Sequence, residues 1–442
     1  MFLPKMGRRA KNPKQTHSRG GGQRGITVQS PEKYAKIKAK VVKINQTTML
    51  KTKSIKAEEI IGLVPDELLD QLTIKTRVDY SVQKLRGKTV FKLFLYAFLN
   101  SKTISLRILE AIYKSKKFKN LFNIPRGAIK HSSIGMRLAR INYQYFENIF
   151  LHLIRSPKLD AVLFAGKKIL ASKIDSTIVV LSSKLLKIGM DDNPGKKSLK
   201  FTVEITQGIP VNLILFKEQK YLSEDNALPE IIKQKTIKKS LNIAIFDRGI
   251  QRKQSFVDFQ NQNIYFISRV STQKIIIIKD LPLEKTDTQG LTIISDQNVK
   301  FASSEGMERG AVDTEFRVIT GKNKQDNKTI SFITNVNFLT AYEITELYKS
   351  RWEIETFFKF IKQELNFKHL LSRTENGIKV VMYLTMIAAI LLTIYKKVNN
   401  IIGWAAAKIY FMDELESGIM REWHFEMTPV FSVNNAFAFN SS

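Results

Sequence analysis

The order of strand and helix patterns in the middle of the chain constrains its fold most strongly. Short turns separate three apolar, β-branched runs, which predict a meander of strands over Ile169–Leu181, Leu199–Thr206 and Val211–Phe216. A helical pattern over residues 226–239 follows, then an apolar run that ends in Asp247, another helix, and a strand over Ile264–Val270. This order predicts an α/β fold with a mixed sheet and helices on both faces.

The region before this core is predicted to be helical, from about residue 65 to residue 155. One helix has an apolar face formed by Val90, Leu93, Phe94, Ala97 and Phe98. A second is predicted around Ile104–Ile112, and a third begins near Ser132 or Ser133 and extends to Phe150. Arg137 and Arg140 on the third helix could enter a DNA groove, or the helices could form a purely structural bundle.

The region after the core changes period again. Five strand-like runs between residues 271 and 336 predict a β-rich insertion, and one long helix is predicted from Ala341 to about Leu365. The pattern is helical again through Lys397 and less regular after it. The 442 residues therefore divide into a helical DNA-binding domain (57–160), an α/β domain (161–398, with the insertion at 271–336) and a C-terminal tail region (399–442).

The charge of the chain indicates a polyanionic partner. Lys and Arg number 71 against 40 Asp and Glu, which gives a formal net charge of +31. Because so large a charge repels itself, nucleic acid is the expected partner, with an anionic membrane second. Residues 1–56 hold 15 basic residues and one acid, Glu32, and glycines at 20, 21, 22 and 25 interrupt any helix. They predict a flexible basic arm, which either binds phosphates or is only a solvated terminus.

Several other classes of protein are excluded or disfavoured. The absence of cysteine excludes disulfides, thiolate-bound zinc and thiol catalysis, and it fits a reducing cytoplasm. No apolar segment follows the basic N-terminus, so no secretory signal is predicted. The most apolar stretch, Val380–Tyr395, is shorter than the ~20 residues that span a bilayer, and it predicts a buried helix. No membrane partner is therefore expected.

Four polar side chains share one stripe of the predicted helix at 341–365. Tyr348, Arg351, Glu355 and Lys362 are spaced so that, at about 100° per residue, they fall within roughly 60° of each other. The apolar residues Ile354, Phe357, Ile361 and Leu365 occupy a different face. Spacing alone fits an ordinary surface ladder of ion pairs, each of which contributes about 0.3–0.5 kcal/mol.

Two further acids favour a catalytic interpretation of this stripe. Asp175 lies inside the first apolar strand, and Asp247 ends a later one. A charge in or after a buried strand is costly unless it is paired or bound to metal, and α/β sheets place their sites at the carboxyl ends of strands. If the two strands are neighbours and the helix packs across them, Asp175, Asp247 and Glu355 converge. Such oxygen ligands suit two Mg²⁺ or Mn²⁺ ions, which would activate a hydroxyl and stabilise the leaving oxygen at phosphorus.

The motifs resemble those of bacterial insertion-sequence transposases, specifically the fourth insertion-sequence family. The segments KIDSTIVV, IFDRGI and ITELYKSRWEIETFFKFIKQEL are similar to its three motif blocks, and the Tyr-Arg-Glu-Lys signature is matched at every position. The resemblance covers residues 163–395 well and the N-terminal helices more weakly. It implies a ribonuclease-H-like catalytic core that carries a DDE triad.

The resemblance also implies roles for single residues. Asp175, Asp247 and Glu355 correspond to the catalytic metal ligands. Tyr348, Arg351 and Lys362 correspond to contacts with DNA near the transposon end, which suits a stacking ring, a guanidinium fork and a point charge. The sequence departs from many relatives at Ile250, where they have Tyr, and this leaves the triad intact. Arg248 and Trp352 are secondary DNA-binding candidates, for which a core or ion-pair role is an equal alternative.

Three functions are compatible with these features. The first is a transposase that binds the terminal inverted repeats of its element and target DNA, and cleaves and joins strands as a homodimer in the bacterial cytoplasm, at the nucleoid. The second is a ribonuclease-H-like nuclease that lacks strand transfer. The third is a DNA-binding descendant without catalysis. The insertion and the complete signature favour the first.

Overall fold

The computed structural model describes most of the chain after its first 54 residues. The predicted basic arm therefore lies almost wholly outside the described residues. The described segments are residues 55–125, 127–155, 169–181, 189–194, 196–234, 241–271, 275–301, 312–367 and 371–427.

Helices form the whole of the N-terminal region that the structure describes. They are α1 (Ala57–Ile61), α2 (Asp66–Thr76), α3 (Gly87–Asn100), α4 (Leu106–Lys114), α5 (Lys116–Phe122), α6 (His131–Arg140) and α7 (Gln144–Ile154). The predicted apolar face of α3 is confirmed, since Leu93, Phe94 and Ala97 are fully buried. Ser105 caps α4 by accepting a hydrogen bond from the backbone N–H of Ile108, and Ser115 caps α5 in the same way.

The prediction of a single third helix up to Phe150 is wrong. The backbone becomes extended at Ile141, and α7 begins three residues later. Asn142 stabilises this break, because its side chain donates to the carbonyl of Thr76 and accepts from the backbone N–H of Gln144. The apolar spacing continues across the break because Ile141 and Tyr145 are both buried in the same core.

A mixed sheet forms the centre of the molecule. Its strands are β1 (Ile169–Leu181), β2 (Met190–Asn193), β3 (Lys196–Thr206), β4 (Ile209–Phe216), β5 (Leu241–Phe246), β6 (Tyr265–Val270), β7 (Ile275–Asp280), β8 (Leu291–Phe301), β9 (Val312–Asn323) and β10 (Thr329–Thr334). The predicted meander is confirmed, with antiparallel pairing of β1 with β3 and of β3 with β4. Strand β1 then pairs in parallel with β5, and β5 with β6. The short strand β2, which pairs with β3, was not predicted.

The β-rich insertion extends this sheet rather than forming a separate one. Strand β10 pairs antiparallel with β6, and β9, β8 and β7 follow outward in that order. Two of the predicted strands are a single strand, β8, which continues across residues 295–298 and bulges where it pairs with β9. The buried Arg317 of β9 forms two hydrogen bonds with Asp296 of β8 and donates to the carbonyls of Val336 and Leu339. The insertion therefore holds the segment that leads into the next helix.

Helices cover both faces of the sheet, as predicted. Helices α8 (Glu224–Ile232) and α9 (Lys253–Asn261) pack on the face that Ala244 and Phe246 of β5 present. Helix α10 (Ala341–Lys349) packs on the opposite face, which Ile243 and Ile245 present. Such strict alternation is expected for a strand that is covered on both sides.

The single long helix predicted from Ala341 to about Leu365 is wrong, because it is two helices. Helix α10 ends at Lys349, and α11 (Trp352–Glu364) begins after Ser350 and Arg351. The junction consists of tight turns in which backbone N–H groups bond three residues back, as from Arg351 to Tyr348. Such 3₁₀ turns inside a helical segment often mark a functional hinge or a strained sequence.

The C-terminal helices complete one large core with the N-terminal ones. Helix α12 (Glu375–Val398) is long and apolar enough to cross a membrane, but 94% of its apolar window is buried inside the protein, as in a core helix. The less regular structure predicted after Lys397 is wrong for residues 404–427, which form α13 (Trp404–Met427), and residues 428–442 lie outside the described part of the chain. Glu414 of α13 accepts a hydrogen bond from the backbone N–H of Ala57 at 2.9 Å, so α13 contacts the start of α1.

Candidate active site

The register of two parallel strands brings Asp175 and Asp247 to the same level. The last paired residues of β1 and β5 are Lys173 and Ile245. Each acid lies two residues further along its strand direction, Asp175 still within β1 and Asp247 directly after β5. Because side chains alternate with a period of two, both carboxylates also lie on the same side as the paired residues. The expected placement at neighbouring strands is confirmed.

Asp175 lies in an environment that disfavours its charge. Burial, together with the nearby carboxylates of Glu224 and Asp247, raises the pKa of Asp175 to about 6. The backbone N–H of Ser176, which donates to Asp175 Oδ1 at 2.8 Å, and the charge of Arg351 oppose this rise. The ionised form of such a carboxylate becomes favourable when a cation binds beside it.

Asp247 lies in the opposite electrostatic environment. Burial alone would raise its pKa, but the net pKa is lowered by the backbone N–H of Arg248, the charge of Arg351 and the phenol of Tyr348. Tyr348 Oη donates to Asp247 Oδ1 at 3.0 Å, and Arg269 of β6 lies 3.9 Å from the same oxygen. Asp247 is therefore held ionised by groups from three separate segments.

Arg351 links Glu355 to Asp247. The guanidinium Nη2 of Arg351 lies 2.6 Å from Glu355 Oε1 and 3.9 Å from Asp247 Oδ2. The tight turn between α10 and α11 directs Arg351 toward Asp247, because side chains three residues apart, such as Tyr348 and Arg351, eclipse each other in a 3₁₀ turn. Tyr348 and Arg351 consequently both point at Asp247, and the guanidinium carbon lies 5.9 Å from the centre of the Tyr348 ring.

The predicted convergence of three carboxylates takes a different form from the one expected. Among the residues that the structure describes, no three acidic or histidine side chains group closely enough to share a metal ion. The Arg351 guanidinium lies between Asp247 and Glu355 instead, and its charge reaches Asp175. Arg351 thus lies between two of the three acids, and the all-oxygen donor set of the three fits Mg²⁺ or Mn²⁺.

The remaining candidate residues lie around this centre at different exposures. Lys362 is half-buried on α11, and its Nζ lies 5.7 Å from the centre of the Phe358 ring. Trp352 is 66% exposed and Arg248 is exposed, so a buried core role for either side chain is excluded. An exposed ring beside an acidic centre is available to an unpaired base.

Two acids at the start of α8 bond to the segments that carry Asp175 and Asp247. Neither acid was predicted as a site residue. Glu224 accepts a hydrogen bond from Ser176, which adjoins Asp175, and is paired with the buried Lys200 at 3.0 Å. Asp225 Oδ1 accepts the backbone N–H groups of Gln251 and Arg252, which close the loop that begins at Asp247. In the sequence, Ser-Glu-Asp before a helix has the pattern of a common helix start, so nothing distinguished these acids.

Removing the Asp225 carboxylate should loosen this loop. We expect Asp225→Ala to lower the free energy of unfolding by about 1–2 kcal/mol, because two backbone N–H groups lose their acceptor. Asp225→Asn, whose side-chain oxygen can still accept both bonds, is the matched control and should lose less than half as much. Urea denaturation measures both changes. Equal losses in the two variants would contradict a role for the carboxyl oxygen as acceptor.

The geometry defines first a class of protein. A sheet in which an antiparallel meander continues into two parallel strands, with acids just beyond the last paired residues of the first two parallel strands, is a ribonuclease-H-like domain with an acidic centre. The sequence profile of the transposase DDE domain family matches residues 174–391, which include Asp175, Asp247 and Glu355. Residues 174–391 of this chain are therefore similar to the transposase DDE domain.

Three relatives of this chain have names that describe them as transposases. One from Sinorhizobium fredii is 29% identical over 36% of this chain and 43% of its own length. One for an insertion-sequence element of Synechocystis is 24% identical over 50% of this chain and 58% of its own length. One for an insertion-sequence element of Geobacillus stearothermophilus is 22% identical over 66% of this chain and 77% of its own length. The chain thus spans about half the length of the first two.

Proposed function

We propose that this protein is a transposase of the fourth insertion-sequence family that cleaves DNA at the ends of its element and joins them to a target. The observation that supports the proposal is that Asp175 and Asp247 lie at the same level of the paired strands β1 and β5, while Arg351 lies between Asp247 and Glu355. A surface ladder of ion pairs does not account for two acids that belong to neighbouring buried strands. The similarity of the same residues to the transposase DDE domain also supports the proposal.

Asp175, Asp247 and Glu355 are the side chains that would hold the divalent ions, Mg²⁺ or Mn²⁺, two in number. The ions would supply activation of a water or 3′-hydroxyl and charge stabilisation at the phosphorus. Tyr348 and the Arg248 N–H orient the Asp247 carboxylate through their hydrogen bonds. Arg351 and Lys362 supply positive charge for the DNA backbone beside the metal ligands, and the exposed Trp352 supplies a stacking surface.

The helical domain offers a second surface for DNA. A cleft with a volume of about 820 Å³ lies between the segments 76–85 and 128–142. The described residues that line it include five basic residues and no acid. Arg77, Lys84, Lys130 and Arg140 are exposed there. The fifth, Arg137, is used structurally, because it donates to the carbonyls of Leu85 and Val78. A surface of this sign attracts phosphates without reading sequence.

Partners and location follow from the same proposal. The DNA is double-stranded and includes the terminal inverted repeats of the element and the target. Joining two ends requires two active sites, so we expect a homodimer in the assembled complex. A protein that acts on a bacterial chromosome works in the cytoplasm, at the nucleoid.

A strand-transfer assay with the purified full chain tests the proposal against its alternatives. Labelled DNA that carries the inverted repeats flanking the coding region is incubated with a target plasmid, with Mg²⁺ or with a chelator. Joined product that requires Mg²⁺ supports a transposase. Cleavage without joining supports a ribonuclease-H-like nuclease, and binding without either reaction supports a non-catalytic DNA-binding protein.

A further inference from the structure

Arg351 is a buried cation whose hydrogen-bonding capacity is poorly used. Its side chain is 13% exposed, and its Nη2 lies 2.6 Å from Glu355 and 3.9 Å from Asp247. Its Nε is buried and has no hydrogen-bond partner. A guanidinium has five N–H donors, and leaving a buried donor unpaired is costly.

Arg317 shows how this fold holds an arginine that has only a structural role. Its Nε and Nη2 donate to the two oxygens of Asp296 at 2.8 and 2.6 Å, and its Nη1 donates to two backbone carbonyls. All three of its nitrogens have partners. Arg351 instead bonds one carboxylate oxygen and faces a second carboxylate from beyond hydrogen-bond distance, so its position is set by charge more than by hydrogen bonding.

The charges around Arg351 explain why it remains there. The carboxylates of Glu224 and Asp247 both raise the pKa of Asp175, so the three acids lie close together. Glu355 adds another acid, bonded to Arg351. Carboxylates so close repel each other unless a cation lies among them. Within the described residues, the other cation at Asp247 is Arg269, which lies 3.9 Å away and is 40% exposed.

We propose that Arg351 is an internal counter-ion, which holds Asp247 and Glu355 together in the metal-free protein and gives up its place when a divalent cation binds. The inference rests on the proposed function only in taking these acids as metal ligands. A guanidinium and a metal ion cannot both lie between the same carboxylate oxygens. The long side chain lets Arg351 swing outward, where it meets phosphate. In the absence of DNA, Arg351 thus positions Asp247 and Glu355, and it competes with a metal ion for their carboxylates.

Calorimetric titration of the full-length protein with Mn²⁺ alone, without DNA, tests this competition. Arg351→Met removes the charge but keeps much of the side-chain length, and we expect it to bind Mn²⁺ at least about tenfold more tightly than the wild type. Arg351→Lys keeps the charge and should stay within about threefold of the wild type. Without metal, Arg351→Met should also melt at a lower temperature, and Mn²⁺ should raise its melting temperature more than that of the wild type.

Arg269→Met is the matched control, because it removes the same charge beside Asp247 without touching Glu355. We expect it to tighten Mn²⁺ binding by less than about threefold. The proposal is overturned if Arg351→Met binds Mn²⁺ no more tightly than a wild type that binds it, or if Arg269→Met has an equal effect. If neither the wild type nor Arg351→Met binds Mn²⁺, the proposed metal site itself fails along with the inference.

Discussion

Glu355→Gln should reduce DNA cleavage and strand transfer by at least about a thousandfold and change DNA affinity by less than about twofold. The substitution keeps the size of the side chain and an oxygen that can still accept from Arg351, so the fold around α11 is preserved. It removes one negative charge from the set that would hold the metal ions. Since the ions supply the charge stabilisation of the transition state, the loss falls on the chemical step.

Cleavage and joining of labelled inverted-repeat DNA measure the first quantity, and fluorescence anisotropy of the same DNA measures the second. Glu364→Gln is the matched control, because it changes the same charge on the same helix, outside the acidic centre. It should retain full activity. Asp175→Asn and Asp247→Asn should behave like Glu355→Gln. More than about a tenth of wild-type activity in Glu355→Gln would remove that residue from the catalytic set.

Much of the fold was predictable because strand and helix periods are local properties. The runs that became β1, β3, β4, β5 and β6 were predicted almost at their observed bounds. Asp175 and Asp247 stood out because a charge inside or directly after an apolar strand is unusual. The parallel pairing of β1 with β5 could not be predicted in the same way, because β2, β3, β4 and α8 lie between the two strands in the chain.

The helix break that shapes the site had no comparable signal. Neither Gly nor Pro occurs between Tyr348 and Glu355, and both junction residues keep helical dihedral angles. The periodicity of Ile354, Phe357 and Ile361 correctly predicted the buried face of α11. It could not predict the tightened turn before it, or the contacts of Tyr348 and Arg351 with Asp247, because Asp247 is about a hundred residues away in the chain.

Long-range strand pairing was the other feature of the fold that could not be predicted from the sequence. The five runs of the insertion predicted strands but carried no information on which strand of the core they join. Their contact with the site depends on Arg317, whose carbonyl partners Val336 and Leu339 precede α10. A lone arginine in a strand-like run, with its aspartate partner twenty-one residues earlier, resembles any exposed charged pair. Only the fold shows that this pair is buried.

Breaking this buried pair should be the most destabilising single change in the insertion. In Asp296→Asn, Arg317 keeps its full charge with only 7% of its side chain exposed and loses its anionic partner. We expect the free energy of unfolding to fall by about 3–5 kcal/mol, the usual loss when one partner of a buried ion pair is removed. Urea denaturation measures the loss. Strand-transfer activity should fall with it, because Arg317 holds the segment that positions α10 and Tyr348.

Two controls separate the buried charge from a general effect of substitution. Asp313→Asn breaks an exposed ion pair with Lys300 in the same sheet and should cause no resolvable change in stability. Combining Asp296→Leu with Arg317→Met removes both charges and should recover most of the loss, since apolar residues of similar volume can replace a buried ion pair. The double variant still lacks the bonds to Val336 and Leu339. If it is stable yet remains impaired in strand transfer, those carbonyl contacts position α10; if it regains full activity, the insertion stabilises the sheet without positioning the site.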